Sequence, residues 1–203
     1  MFDARLRRLL DPSLTRGAMV LDRTWITPDR LTATGLILGL GSAITAGVGW
    51  WVISAALWLV SRLADGLDGP LARLRTARGH SDSGAGGFFD ITADFTVYGA
   101  TVVGVAIGAG GAQWPFLLVL LAYYVNGAAF LAFSSIAEKA GRTIDDGRSL
   151  SFLGGLAEGA ETIVVHTLWL VLPFWAPQIA VVWSAVVGVS GAQRIVAGYR
   201  ALR

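Results

Sequence analysis

The sequence predicts an all-α integral membrane fold: a bundle of six transmembrane helices preceded by an amphipathic helix at the membrane interface. Three observations predict it. Of 203 residues, 54% are hydrophobic and only 15% charged, with a mean hydropathy of +0.61, against about 25% charged residues in a soluble domain. The charges are missing in blocks, with no Asp, Glu, Lys or Arg over 31–61, 95–137 and 162–193. Each block exceeds the roughly 20 residues that cross a hydrocarbon core. The basic residues, finally, gather in alternate connections.

Gly, Pro and charge clusters divide the apolar sequence into spans near 30–48, 50–73, 87–109, 114–137, 153–175 and 178–199. The joins are short, so neighbouring spans are antiparallel. Arg5, Arg7, Arg8, Arg16, Arg23 and Arg30 precede the first span, and Arg73, Arg75 and Arg78 lie at the end of the second. Lys139, Arg142 and Arg148 separate the fourth from the fifth, and Arg194, Arg200 and Arg203 close the chain. The connections near Gly49, 109–113 and 176–177 carry no Lys or Arg. The positive-inside rule then places both termini on the cytoplasmic side. That topology accounts for the net charge of +2 without nucleic acid as a partner. The chain reads as one domain over 1–203. In residues 2–25, Leu6, Leu9, Leu10 and Leu14 recur at helical spacing among arginines, the pattern of a helix lying on the membrane face. Pro12 is expected to break or kink it. The absence of cysteine excludes disulfides and thiolate ligands.

Four aspartates stand at the cytoplasmic ends of the second and third spans. Asp65 and Asp68 are three apart, and Asp90 and Asp94 four apart, so each pair lies on one helix face. Packed against each other, the two faces converge four carboxylates at one depth, which their mutual repulsion forbids unless protons or cations intervene. Ionisable groups at membrane depth mark function. An all-oxygen ligand set suits Mg²⁺, Mn²⁺ or Ca²⁺ rather than zinc, and such ions clamp phosphate oxygens. Gly66, Gly69, Ala72 and Gly86 would let an anionic group approach the backbone, and Arg73 would contact it.

The run Asp65, Asp68, Gly69, Ala72, Arg73, Gly86, Asp90, Asp94 resembles the signature of the CDP-alcohol phosphotransferases, with all eight positions filled within 30 residues. Thr27-Pro28-Asp29-Arg30-Leu31-Thr32 resembles the entry to that family's first span. One spacing departs from it: twelve residues, Leu74 to Ala85, separate Arg73 from Gly86, where the family usually has eight. A longer cytoplasmic loop carrying Arg75, Arg78, His80 and Asp82 would absorb the difference.

The resemblance implies a membrane transferase. It would move a phosphatidyl or other phospho-alcohol group from a CDP-alcohol, with CDP-diacylglycerol the expected donor, to the hydroxyl of a small alcohol, releasing CMP. It implies Asp65, Asp68, Asp90 and Asp94 as metal ligands, Asp94 also as base, and Gly69, Ala72, Arg73 and Gly86 as the CDP site. A homodimer and a bacterial inner-membrane location follow from the same resemblance, whereas two divalent ions, Mg²⁺ or Mn²⁺, are expected because two would neutralise the four carboxylates. Glycerol 3-phosphate, serine and inositol phosphate are the familiar acceptors. Arg142, Arg148 and Arg194 are candidates to bind a phosphorylated one, and Glu158 and Glu161, early in the fifth span, to bind its hydroxyls. His166, deeper and alone, is expected to pack and hydrogen-bond; Tyr123, Tyr124 and Asn126 are expected between helices, and the eight tryptophans at span ends. A small transporter or ion-binding membrane protein would spread its acids toward mid-membrane in repeated halves. An aspartate-rich prenyltransferase would need more spans and other spacings.

Overall fold

The computed structural model describes residues 2–79, 84–141 and 156–203, and the secondary structure there is helical, with no strand among the described residues. The helices are α1 (Phe2–Leu21), α2 (Pro28–Gly47), α3 (Trp51–Thr76), α4 (Ala85–Ala109), α5 (Trp114–Lys139), α6 (Gly159–Val171) and α7 (Ala176–Leu202), with a 3-10 turn at Pro173–Trp175. The helices α2 to α7 correspond to the six apolar segments in order.

Local chemistry sets the ends. Thr27 caps α2, its extended backbone letting Oγ1 accept from the Arg30 N–H at 3.2 Å, with Pro28 and Asp29 in the first turn. Pro173 cannot donate to the preceding turn and disfavours helix at Leu172, so α6 stops there after 13 residues. The fifth segment is therefore shorter in helix than its hydropathy suggests, while its expected start, 153–155, lies outside the described residues.

Among the described residues, three segments are long and apolar enough to cross a membrane: α4, α5 and Pro173–Leu202, with mean hydropathies of 1.4, 2.0 and 1.6. In α2 the run is diluted by glycine and threonine, and α3 carries Arg62, Asp65 and Asp68 within its helical length. The outer surface stays apolar, with Ile37, Val52, Leu121 and Phe174 exposed, as a lipid-facing bundle requires.

Inside, α2 packs against α3 and α4, and α5 against α7. Trp58, Val97, Val102, Val105, Phe116 and Trp169 form the core. Backbones touch where glycine permits: a Cβ on Gly104 would strike the Ala43 carbonyl of α2, and one on Gly108 the Ala46 carbonyl. Such small-residue contacts replace the hydrophobic driving force that lipid removes. Gly104→Ala is expected to force α2 and α4 apart at a cost of about 3 kcal/mol, read as a lower unfolding midpoint in detergent.

The N-terminal segment is helical, and α1 runs through Pro12 without the expected break. It is docked on α3: Leu14 lies over Gly66, Gly17 over Leu67, and Ala18 is fully buried. Gly66 thus admits α1 rather than the ligand expected there. Leu9 and Val20 remain exposed.

Three tryptophans also depart from expectation. Trp58, Trp169 and Trp183 are buried, whereas Trp25, Trp50, Trp114 and Trp175 are exposed near helix ends. Tyr124 is exposed too, because it lies on the face of α5 opposite its partners.

Candidate active site

The two aspartate pairs come from consecutive helices, which do not pack face to face as expected but are brought together by α2, on which both pack. Asp65 and Asp68 lie in the second half of α3, and Asp90 and Asp94 in the first turns of α4. Gly84, immediately before α4, has a φ of 74°, which suits a residue without a side chain. One carboxylate oxygen each from Asp65, Asp68 and Asp90 lies within 4.8 Å of the others. That three-carboxylate donor set fits a hard divalent cation of the Mg²⁺ or Mn²⁺ kind. Thr32 fixes Asp68, donating from Oγ1 to Oδ2 at 2.5 Å, and the Gly69 N–H donates to the same carboxylate. Through Thr32, the entry of α2 becomes the outer support of the cluster, as ligating carboxylates commonly require.

Asp94 is arranged differently. Its Oδ1 accepts from Arg62 Nη1 at 2.5 Å, and the same nitrogen stands 3.6 Å from Asp65 Oδ2. Arg62 is buried, its guanidinium 5.2 Å from the ring centroids of both Trp58 and Tyr98, with Nη2 donating to Ser61 Oγ at 3.0 Å. Sequence reasoning missed Arg62. The available signal was its position, directly after a charge-free run and three residues before Asp65 on the same helix face.

The expected CDP-site residues lie beside the cluster. Gly69 faces Arg73, whose Nη1 would be 3.3 Å from a Cβ there, and Gly86 faces Asp29 Oδ1 at the same distance. Asp29, named in the sequence only as part of the run entering the first span, is thereby a neighbour of the expected CDP site. Ala72 is half-buried. Arg73 is largely exposed and pairs with Asp11 of α1 at 3.3 Å.

A second set of basic residues ties the helix ends together. Asp22, between α1 and α2, pairs with Arg75 at 3.2 Å and with Arg78, while Arg75 Nη2 donates to the carbonyls of Arg23 and Ile26. Arg75 and Arg78, expected in the extended loop, thus serve as a clasp. His80 and Asp82 lie outside the described residues. The hydrogen bond from Arg75 holds the Asp22 carboxyl below its ordinary 3.8. A carboxyl depressed by folding stabilises above that ordinary value, and the contribution is lost as pH falls through the depressed one. Asp22→Asn is therefore expected to lower the unfolding midpoint at pH 7, and the two proteins to converge as pH is taken below the carboxylate range.

The remaining candidates come from α7, from the start of α6 and from the segment after α5. Arg142 and Arg148 lie outside the described residues. Arg194 is buried in α7, donating to Asn126 Oδ1 at 3.1 Å and lying 5.7 Å from the Phe130 ring. Glu158 is buried just before α6, and Glu161 Oε2 is buried without a hydrogen-bond partner among the described residues. His166 packs as expected: fully buried, it stacks on Trp58 and meets the Tyr123 hydroxyl at 2.9 Å, which accepts from Trp183 Nε1 at 2.7 Å.

Comparison with known proteins follows the same residues. The family model for CDP-alcohol phosphatidyltransferases matches residues 25–190. The inner membrane protein YnjF of Escherichia coli (strain K12) is 35% identical over a 214-residue alignment, covering all of this chain and 98% of YnjF. The archaetidylinositol phosphate synthase of Methanothermobacter thermautotrophicus is 29% identical over 160 residues, 79% of this chain and 70% of that protein. Two crystal structures of the Mycobacterium tuberculosis phosphatidylinositol phosphate synthase PgsA1 share the fold. The one with CDP-DAG bound superposes with a TM-score of 0.69 at 21% identity, covering 92% of this chain and 93% of that one. The one with manganese and citrate superposes with a TM-score of 0.71 at 23% identity, covering 92% and 88%. With the family model spanning most of its length, including all eight signature positions, the chain belongs to the CDP-alcohol phosphatidyltransferase family.

Proposed function

We propose that this protein is one catalytic membrane domain that transfers a phosphatidyl group from CDP-diacylglycerol to the hydroxyl of a small alcohol, with release of CMP, in phospholipid synthesis. The single observation that carries the reading is the convergence of Asp65, Asp68 and Asp90 beside Asp94 at one end of an apolar bundle. A donor that is lipid at one end and nucleotide at the other needs its reacting phosphate at such a boundary. CDP-DAG is the ligand of one PgsA1 structure and manganese of the other, which supports the donor and the metal class for a chain of the same fold.

Asp65, Asp68 and Asp90 would hold Mg²⁺ or Mn²⁺. When bound, such an ion neutralises the pyrophosphate and stabilises charge on departing CMP. Gly69, Ala72 and Gly86 would leave room for the CDP moiety, and Arg73 would exchange Asp11 for a phosphate oxygen. In the transfer, the acceptor oxygen forms a bond to the phosphorus bearing the diacylglycerol. The bond from that phosphorus to the CMP oxygen breaks, and the hydroxyl proton passes to Asp94.

Six crossings by α2 to α7, with α1 on the membrane face, would put both termini and the aspartates in the cytoplasm. This reading rests on the alternation of basic and uncharged connections. An inner-membrane location agrees with what the relative YnjF is called. A phosphorylated acceptor would meet Arg194 and the segment of Arg142 and Arg148, with Glu158 and Glu161 toward its hydroxyls. A homodimer would use open small faces such as those at Gly99 and Gly188.

The test is CMP release from CDP-diacylglycerol with Mg²⁺ or Mn²⁺ across a panel of alcohols, including glycerol 3-phosphate, serine and inositol phosphate. Acceptor-dependent CMP establishes the reaction and identifies the second substrate. CDP binding without CMP from any acceptor points to another CDP-alcohol donor. Absence of CDP binding overturns the reading.

A further inference from the structure

The inner face of α2 serves the core and the site, with Thr32, Gly35, Gly39 and Ser42 buried along it. Its outer face carries Arg30, Ala33, Thr34 and Ile37, which follow one another at i, i+3, i+4 and i+7 and so share one stripe. With Trp25 and Ile26 of the preceding segment they line a groove of about 430 Å³. Trp25 is 67% exposed and Ile37 69%, so both meet whatever fills it.

The segment at the mouth of this groove is pinned. Arg75 Nη2 donates to the carbonyls of Arg23 at 2.9 Å and Ile26 at 2.7 Å, and Arg30 Nη1 donates to that of Trp25. The Ile26 N–H closes a turn onto the Arg23 carbonyl at 3.0 Å. The backbone that carries the indole is therefore fixed before any ligand arrives.

Arg30 is exposed and has no acidic partner among the described residues, and its guanidinium bonds the protein there through Nη1 alone. The two carboxylates nearest in sequence are turned elsewhere: Asp29 faces Gly86 of α4, and Asp22 pairs with Arg75 and Arg78. The remaining N–H donors of the fork are left for an anion, which they match in geometry.

The two ends of the groove define its occupant. Seven residues of helix set Ile37 about 10 Å along the axis from Arg30. The headgroup region of one leaflet is only about 5–7 Å thick, so a guanidinium at phosphate level leaves Ile37 among acyl chains, with the indole at the interface that tryptophan favours. A soluble anion would satisfy Arg30 and leave Ala33 and Ile37 uncovered. A zwitterionic lipid would bring a second cation to Arg30.

We propose that this groove binds one anionic phospholipid, its phosphate on Arg30, its glycerol beside Trp25 and Thr34, and an acyl chain along Ala33 and Ile37. This lipid is not the donor at the aspartates. Arg30 and Thr32 are about 200° apart around α2, and Thr32 is the residue that meets Asp68. The lipid instead steadies, from the far side, the turn of α2 that supports the cluster. The inference rests on the six-crossing reading, which sets the first turn of α2 at the cytoplasmic headgroup level.

The experiment is native mass spectrometry of the full chain in a non-ionic detergent, with equimolar phosphatidylglycerol and phosphatidylcholine. Wild type is expected to retain one phosphatidylglycerol with a preference of about fivefold or more, the effect of one basic residue on an anionic lipid. Arg30→Gln is expected to bring the ratio close to one. Arg200→Gln removes an equal charge from the last turn of α7 and is expected to leave the ratio at its wild-type value. Ile37→Gln is expected to weaken retention of both lipids. All three side chains are exposed, so no variant removes a core contact. Excess inorganic phosphate is expected to leave the lipid in place. Equal retention of the two lipids by wild type, a preference that survives Arg30→Gln, or an equal loss in Arg200→Gln would overturn the proposal and leave the six-crossing reading intact. Displacement by phosphate would make this a site for a free anion and overturn it as well. A wild-type chain that retains neither lipid would overturn the proposal and count against the membrane placement of α2.

Discussion

Asp94→Asn is expected to lower kcat for CMP release by about a thousandfold, within the range that a lost general base produces, while CDP binding survives. The substitution is nearly isosteric. An asparagine Oδ1 still accepts from Arg62 Nη1, so the helix, the guanidinium and the neighbouring carboxylates keep their places. What disappears is an oxygen able to take the acceptor's proton. The prediction therefore separates two roles that a carboxylate in such a cluster can have. A ligand lost would appear in a metal titration and in nucleotide binding. A base lost would appear in kcat with substrate binding spared. A variant with wild-type kcat would remove Asp94 from the proton path and turn attention to Glu161, whose Oε2 is buried without a partner among the described residues.

Much of this site was legible before any coordinates, because its logic is periodic. Asp65 and Asp68, and Asp90 and Asp94, fall on single helix faces by their spacing alone, and antiparallel neighbours bring the faces to one depth. The helical class followed as directly from charge-free blocks longer than a bilayer crossing. What the sequence concealed are contacts between residues far apart in the chain. Thr32 is bonded to Asp68 across 36 residues, and Asp22 to Arg75 across 53, and no local rule links either pair.

Gly66 shows a different limit. A glycine beside an aspartate reads equally well as room for a ligand or room for a helix, and here Leu14 of α1 occupies the space. Pro12 shows another: its cost to a helix is a single missing bond and a clash, which docking of Leu14, Gly17 and Ala18 on α3 offsets. Arg62 was overlooked because it reads as the end of an uncharged run rather than as the beginning of the site. In a membrane segment, a lone arginine one helical turn before an aspartate merits the same weight as the aspartate.

Asp90→Asn is expected to abolish turnover, by at least about a thousandfold, and chelation of divalent ions from the wild-type protein to do the same reversibly. Divalent-ion stabilisation of phosphoryl charge contributes several kcal/mol, and each 1.36 kcal/mol is tenfold in rate. Asp90 carries more of that effect than its burial suggests. It is the α4 member of the three-carboxylate cluster, whereas Asp65 and Asp68 both belong to α3. Without it the remaining ligands lie on one helix, and an ion there no longer ties α3 to α4. The variant should therefore lose a second property along with activity. In wild type, adding Mn²⁺ is expected to raise the unfolding midpoint, because an ion that binds only the folded chain stabilises it by mass action. In Asp90→Asn that rise should vanish at the same ion concentration. Retention of the Mn²⁺-induced rise together with loss of turnover would mean that Asp90 meets the substrate rather than the ion. Retention of both would exclude the three-carboxylate cluster as the metal site.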